Sequence, residues 1–426
     1  MTIDVTTPVR KWPLGHKLLF RFGCIYILLF TSPWAWLSEI PILNLIGKYY
    51  GLAEEWLVNQ ANAHIFHIKD VLVPLNGSGD TSYGYAQLCF FLLAAVVGAL
   101  IWSVFDKRKN YDVAYYGLMV LVRYFVAIMA FSYGIIKLFG LQMVFPSMSA
   151  LATPLGDFLP MRLSWYFIGY STPYQFFSGA VEVLAGTLLL FRRTSTLGAF
   201  VAASVFLNVM VLNFCYDIPV KLFSAHLFIF SNVLLLSDAK RLLNFFIYNK
   251  ATQPAPQVAL PEKWMRTTQI VLKIAFVILF IGMPLYGSYQ RAFGPGDSGA
   301  AKKLTTGFFS VDQFQGNVAD SLRWKDVVFE PNTSGSILTA DTLFRQRYRR
   351  GYFSYSFDSL AHTIAFKKFP SDSTALFTLG YVMPDTNHVV LRGKIRNDSV
   401  MIALTRQKRH FQLAERQFHW LSEANR

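Results

Sequence analysis

YYGLMVLVRYFVAIMAFSYGIIKLFG, residues 115–140, decides how the rest of the chain is read: it is an apolar run about long enough to cross a bilayer, yet it contains Arg123 and Lys137. Three more apolar runs follow, QFFSGAVEVLAGTLLLF (175–191), TLGAFVAASVFLNVMVLNF (196–214) and KLFSAHLFIFSNVLLL (221–236), and they bring Glu182 and His226. A helix needs roughly 20 residues to cross a hydrocarbon core of about 30 Å, and each run is near that length. An ionisable side chain at such depth costs at least a few kcal/mol when unpaired, so each of these residues is expected to have a partner and is a functional candidate.

Outward from this stretch, LLFRFGCIYILLFTSPWAWL (18–37), YAQLCFFLLAAVVGALIWSVF (85–105) and TTQIVLKIAFVILFIGMPLYGSY (267–289) supply three further spans. The fold class expected is an α-helical polytopic membrane protein of about seven transmembrane helices with a C-terminal extracytoplasmic antiparallel β domain. Residues 1–17 form a cytoplasmic N-terminus, 18–114 two spans with an extracytoplasmic loop, and 115–237 a four-helix membrane bundle. A basic, proline-bearing cytoplasmic linker follows over 238–265, then the seventh span over 266–288, and residues 290–426 form the β domain. The first apolar run is longer than a signal-peptide core and no small-x-small site follows it, so it is read as an uncleaved span. Arg21 sits near its basic flank, where an arginine can snorkel to headgroups. Pro284 is expected to kink or fray the seventh helix.

The 426 residues carry a net charge of +15, 53% hydrophobic content and a mean hydropathy of +0.34. Much of the positive charge lies in short loops: the N-terminus, Lys107 to Lys109, Arg192-Arg193 and Lys240 to Arg266. That pattern orients a membrane protein with those loops in the cytoplasm, and argues against a nucleic-acid partner. Seven spans then put the C-terminal domain in the periplasm and the protein in a bacterial inner membrane. Cys24, Cys89 and Cys215 lie in or beside apolar runs without CxxC or zinc spacing, and a lone histidine is no metal site.

Between the first two spans, IPILNLIGKYYGLAEEWLVNQ (40–60) and HIFHIKDVLVPL (64–75) read as short interfacial helices. The Gly77-Ser78-Gly79-Asp80-Thr81 run lacks the Walker lysine and a preceding buried strand, so it reads as a turn capping the next helix. In the last 130 or so residues YFSYSFDS, HTIAFKKF, ALFTLGYVM, HVVLRGKIR and SVMIALTR alternate at strand length, with hairpin turns at Asp385-Thr386-Asn387 and Asn397-Asp398. They predict six to eight antiparallel strands in a sandwich or small barrel. The tail HFQLAERQFHWLSEANR (410–426) reads as a terminal amphipathic helix or edge strand.

Helical rise counted from the inner ends puts Arg123 about 12 Å deep and Glu182 about 14 Å deep on antiparallel neighbours, so these two are expected to meet. Lys137 falls about four turns further out, beside Asp217 and the start of the 175–191 run. Ser178, Glu182 and Gly186 share one small-residue face, and His226 has Asn208 and Asn213 as expected partners. Two readings of this set stay open: a polar network that fixes helix assembly, and a ligand or proton-transfer site.

Arg123 followed by Tyr133-Gly134-Ile135-Ile136-Lys137-Leu138, then the block from Gly179-Ala180-Val181-Glu182 to Leu190, the basic turn Arg192-Arg193 and Leu197-Gly198-Ala199 together resemble the DoxX family of bacterial membrane proteins over residues 115–237. The resemblance implies a four-helix membrane bundle and a quinone-proximal role as a component of a membrane redox system with a periplasmic or membrane redox partner protein. Catalysis would then rest on Glu182 and His226 as proton carriers, with Arg123, Lys137 and Asn208 holding the quinone. A second resemblance is architectural: a multi-span part followed by an extracytoplasmic β domain is similar to the vitamin K-dependent gamma-carboxylases, enzymes that use a reduced quinone. The third expectation is a non-enzymatic membrane anchor that presents its β domain to a partner. A pocket open to lipid between the 115–140 and 221–236 helices favours the redox reading; a dry, packed bundle favours the anchor.

Overall fold

The computed structural model describes residues 11–36, 38, 40, 43–253, 262–294, 306–416 and 419–421. They fall into two units, one of residues 1–142 with 173–292 and one of residues 143–172 with 293–426.

The first unit is helical. It contains α1 (Leu14–Thr31), α2 (Asn44–Ala61), α3 (Ser82–Phe105) and α4 (Asp112–Leu138). The second unit supplies the short α5 (Met148–Leu151) and α6 (Pro160–Tyr170), after which α7 (Thr172–Leu190) returns the chain to the first. There α8 (Ser195–Cys215), α9 (Lys221–Ser237), α10 (Ala239–Phe246), α11 (Lys263–Val277) and α12 (Met283–Phe293) complete the helices. Among the described residues, five segments are long and apolar enough to cross a membrane: Leu14–Ala35, Ser82–Phe105, Asp112–Leu138, Ser195–Cys215 and Lys263–Phe293. The number is six if α9 and α10, bent by 75° at their junction, count as one span. At 19 residues α7 is long enough, but Gln175, Ser178 and Glu182 dilute its hydropathy and it falls outside that set.

Local chemistry explains where these helices start and stop. Thr81 ends the glycine-rich turn and caps α3, its hydroxyl accepting from the Gly84 amide at 3.2 Å. Asp80, its neighbour, caps a different helix: its carboxylate accepts from the Lys221 and Leu222 amides at 2.8 and 3.0 Å and holds the start of α9. At the end of α4 the chain turns left-handed at Gly140 (φ +66°), a conformation that costs glycine nothing, so Lys137 lies in the last turn. Between α11 and α12 the residues Ile278–Gly282 form a π turn. Pro284 follows directly; it has no N–H, and its ring would strike the Phe280 carbonyl in a regular helix.

α4 is the central helix: half of its apolar window is buried, against 6% for the Lys263–Phe293 segment. The core around it comprises Val122, Phe125, Phe131 and Ile135 of α4, Ala185 and Leu189 of α7, Ala202 and Phe206 of α8, and Leu227 and Phe230 of α9. Arg21 does not snorkel. It is buried, donating to the Tyr111 hydroxyl (2.8 Å), the Ser103 hydroxyl (2.6 Å) and the Asp106 carbonyl (3.1 Å), and so ties α1 to the end of α3 and the start of α4. Within the 40–60 stretch, α2 leaves Ile46, Tyr49, Leu52 and Trp56 exposed.

The second unit is a closed antiparallel barrel. Its strands are β1 (Gly307–Gln315), β2 (Asp326–Phe329), β3 (Ser334–Ile337), β4 (Arg345–Arg347), β5 (Arg350–Asp358), β6 (Thr363–Lys367), β7 (Phe377–Val382), β8 (His388–Ile395) and β9 (Asp398–Gln407). Neighbours in sequence pair except β3 and β4; β9 returns to β1 and β3 pairs with β5, so eight strands close the wall and β4 hangs on β5. The expected turns at 385–387 and 397–398 join β7 to β8 and β8 to β9. Phe309, Trp324, Phe329, Phe353, Phe366 and Phe377 fill the interior, with ring centroids 4.9–6.3 Å apart, so this barrel has a packed core. Arg350, fully buried, pairs with Asp326 through both Nη atoms and donates from Nε to Ser336 Oγ at 2.9 Å.

Residues 143–172 fold with the barrel, although in sequence they fall within the 115–237 stretch expected to form the bundle. Glu330 accepts from the Ser149 amide (2.7 Å), Arg162 donates to the Tyr348 hydroxyl (3.0 Å), and Arg349 pairs with Asp157 (3.0 Å). Tyr348 and Arg349 turn the β4–β5 hairpin with φ of 52° and 57°, a strained pair for non-glycine residues that these contacts hold. The tail expected to be helical or strand-like contains a short α13 (Gln412–Glu415), and its residues 417–418 and 422–426 lie outside the described residues.

Candidate functional site

The ionisable residues of the bundle do not converge on one site. Glu182 pairs with Lys137, not with Arg123, and both partners are buried. Depth counted from the inner helix ends fails because α4 and α7 are aligned by their glycines rather than by their ends. A Cβ on Gly134 would lie 2.9 Å from the Gly179 carbonyl, one on Gly179 would lie 2.6 Å from the Gly134 carbonyl, and Gly186 faces the Phe131 ring. This register, a close glycine-on-glycine crossing, puts Lys137 opposite Glu182. Arg123, fourteen residues earlier and so about 21 Å away along the axis, cannot reach. The packing face of α7 is therefore Gly179, Glu182 and Gly186, with Ser178 beside it. Glu182 Oε1 takes the lysine, while Oε2 has no hydrogen-bond partner among the described residues.

Lys137 is consequently not a neighbour of Asp217, which binds Lys221 at 2.7 Å. His226 is buried on α9 but meets neither Asn208 nor Asn213: its Nε2 lies 2.5 Å from the Tyr26 hydroxyl, its Nδ1 lies 2.6 Å from the Leu222 carbonyl, and Phe30 stacks on the ring at 3.9 Å. α1, which carries Tyr26 and Phe30, covers that face of α9. Asn208 points outward from α8 and is exposed, and Asn213 is buried with no partner for its Nδ2 among the described residues.

Arg123 belongs to a different feature, a groove of about 840 Å³ along one side of α4. Tyr116, Val120 and Tyr124 of α4 line it, as do Leu272 and Phe276 of α11, Phe280 of the π turn, and Trp36. Arg192, from the turn between α7 and α8, and Lys273 of α11 share this lining with Arg123. The Arg123 guanidinium lies 5.2 Å from the centroid of the Tyr124 ring, and Arg192 lies as far from that of Tyr116. Among the described residues, Arg123 Nε and the Tyr116 hydroxyl are buried without hydrogen-bond partners. Arg192 and Lys273 were passed over as site residues: Arg192 reads in sequence as a topology charge. Lys273, a lone cation inside an apolar run, was the available signal.

The chain is 34% identical over 126 residues to the uncharacterized protein YwoB of Bacillus subtilis (strain 168), a match that takes in 29% of this chain and 79% of that protein. No protein-family model and no solved structure matches it. With that identity over most of the relative's length, the chain belongs to the same family as YwoB.

Proposed function

We propose that this chain is a membrane anchor: seven helices in a bacterial inner membrane, the N-terminus cytoplasmic, presenting the β-barrel on the periplasmic side to a partner protein. The seventh crossing is α7, whose one carboxylate is paired and turned into the bundle, so lipid meets an apolar face. The basic loops around Lys107 to Lys109, Arg192-Arg193 and Lys240 to Arg266 support the orientation. On the barrel unit the exposed side chains of Leu155, Leu159, Leu163 and Phe167 offer apolar surface for the partner.

The observation that carries this reading is the packing around Lys137 and Glu182. A pair locked at a crossing too tight for a Cβ has no room for a substrate, and it does what intramembrane polar pairs do structurally, fixing the register of two helices. The test is the double variant Lys137→Met with Glu182→Leu. It is expected to fold and to restore function in a strain lacking the protein; a well-folded double variant without function would show that the charges do chemistry.

A second reading keeps the DoxX resemblance, with the protein a component of a quinone-linked redox system beside a membrane or periplasmic redox partner. The groove favours it: Trp36, Phe276 and Phe280 suit a quinone ring, and Arg123 can donate to its carbonyl. Lys137, Glu182, His226 and Asn208 have no place in that version of the site.

A further inference from the structure

The groove beside α4 contains three cations, Arg123, Arg192 and Lys273, and its lining includes no carboxylate. No acidic side chain lies within ion-pair distance of Arg123 or Lys273 among the described residues, and Arg123 Nε is buried without a hydrogen-bond partner. Elsewhere in the bundle each buried charge is answered inside the protein, Lys137 by Glu182 and Arg21 by hydroxyl and carbonyl oxygens. Here the compensation has to come from outside. The rest of the lining is apolar and aromatic, and it runs from Trp264 to Phe280, roughly 24 Å of helix by rise, a length that accommodates an acyl chain.

We infer that the groove binds an anionic phospholipid, its phosphoryl head held by Arg123, Arg192 and Lys273 and an acyl chain lying along Val120, Leu272 and Phe276. A phosphodiester presents two non-bridging oxygens that share a negative charge, acceptors that match the planar donor fork of arginine and the point charge of lysine. A quinone offers only two neutral carbonyl oxygens and would leave Arg123 and Lys273 without a counter-charge, so the charge inventory favours the phospholipid. The inference requires that α4 and α11 lie in the bilayer and stands whether or not the protein also binds a partner through its barrel.

Native mass spectrometry of the full chain in mild detergent tests it, with dioleoylphosphatidylglycerol and dioleoylphosphatidylcholine added at equal concentration. The phosphatidylglycerol adduct is expected to dominate, and Arg123→Gln or Lys273→Gln is expected to reduce that preference by about fivefold each, the contribution of one cation near an anionic lipid surface. Arg123→Lys retains most of the preference. If the Arg123 variants fail to fold, Lys273→Gln decides, since Lys273 is only partly buried. Equal retention of the two lipids, or a preference that survives the double Gln variant, overturns the inference. So does displacement of the lipid by millimolar inorganic phosphate, which would mark a free-anion site, or retention of added menaquinone ahead of both lipids, which would return the groove to the quinone reading.

Discussion

Glu182 and Lys137 show what a single residue can and cannot announce. That both need partners follows from the cost of charge in hydrocarbon; which partner each takes depends on a helix register that no single helix encodes. Removing one member of a buried pair leaves the other charge stranded, so Lys137→Met or Glu182→Leu alone should destabilise the bundle by about 3–5 kcal/mol. The double variant should recover most of that, because two apolar side chains leave no charge to compensate. Thermal unfolding in one detergent, run on the two single variants and the double, measures it; strict additivity of the two losses would mean that the side chains do not interact. His226 and Asn208 give the complementary lesson. Both read as polar groups in apolar runs, yet one is enclosed by Tyr26 and Phe30 from α1 and the other faces outward.

At the scale of elements, strands and hairpin turns were legible because side-chain alternation and Asn/Asp turn chemistry are local. Closure of the sheet was not, because the β9–β1 and β3–β5 pairings join segments that carry no mutual signal in sequence. One barrel residue makes the element testable by pH. Burial, reinforced by the nearby Tyr166 oxygen, pushes the Tyr352 phenol up to about 12. The folded state therefore holds that proton more tightly than the unfolded chain, whose phenol titrates near 10. The resulting stability is fully present below about pH 10 and is lost as pH rises from there toward 12. The expected outcome is a barrel whose alkaline destabilisation in that window is reduced by Tyr352→Phe, with phenolate absorbance near 295 nm reporting the ionisation. An unchanged alkaline profile in the variant would show that another group sets it.

For the molecule as a whole, the chain between α4 and α7 is part of the barrel unit, tied to it by Glu330, Tyr348 and Arg349. Replacing residues 143–172 with a glycine-serine linker should therefore lower the unfolding temperature of the barrel, read by near-UV circular dichroism of its aromatic core; a barrel of unchanged stability would show the segment to be a passive loop. Topology has its own test. Cysteines placed at Thr194 and Asp385 in a background without Cys24, Cys89 and Cys215 should label from opposite sides of the membrane, Asp385→Cys in intact spheroplasts and Thr194→Cys only after lysis. Labelling of both from one side would remove the seven-span arrangement.

That most of the first 290 residues are apolar helices, that a sheet domain follows, and that a few charges within the helices require compensation can all be read along the chain. Those conclusions rest on length, hydropathy and periodicity, which each segment carries alone. Three relations emerge from the packing alone: Glu182 belongs to Lys137, Arg123 joins Arg192 and Lys273 in a groove, and residues 143–172 fold with the barrel. The physical reason is the same in each case: these relations depend on how far one element slides past another, set here by glycines 134 and 179 in contact and by a hairpin tip gripping a distant helix, and spacing along the chain does not specify that slide.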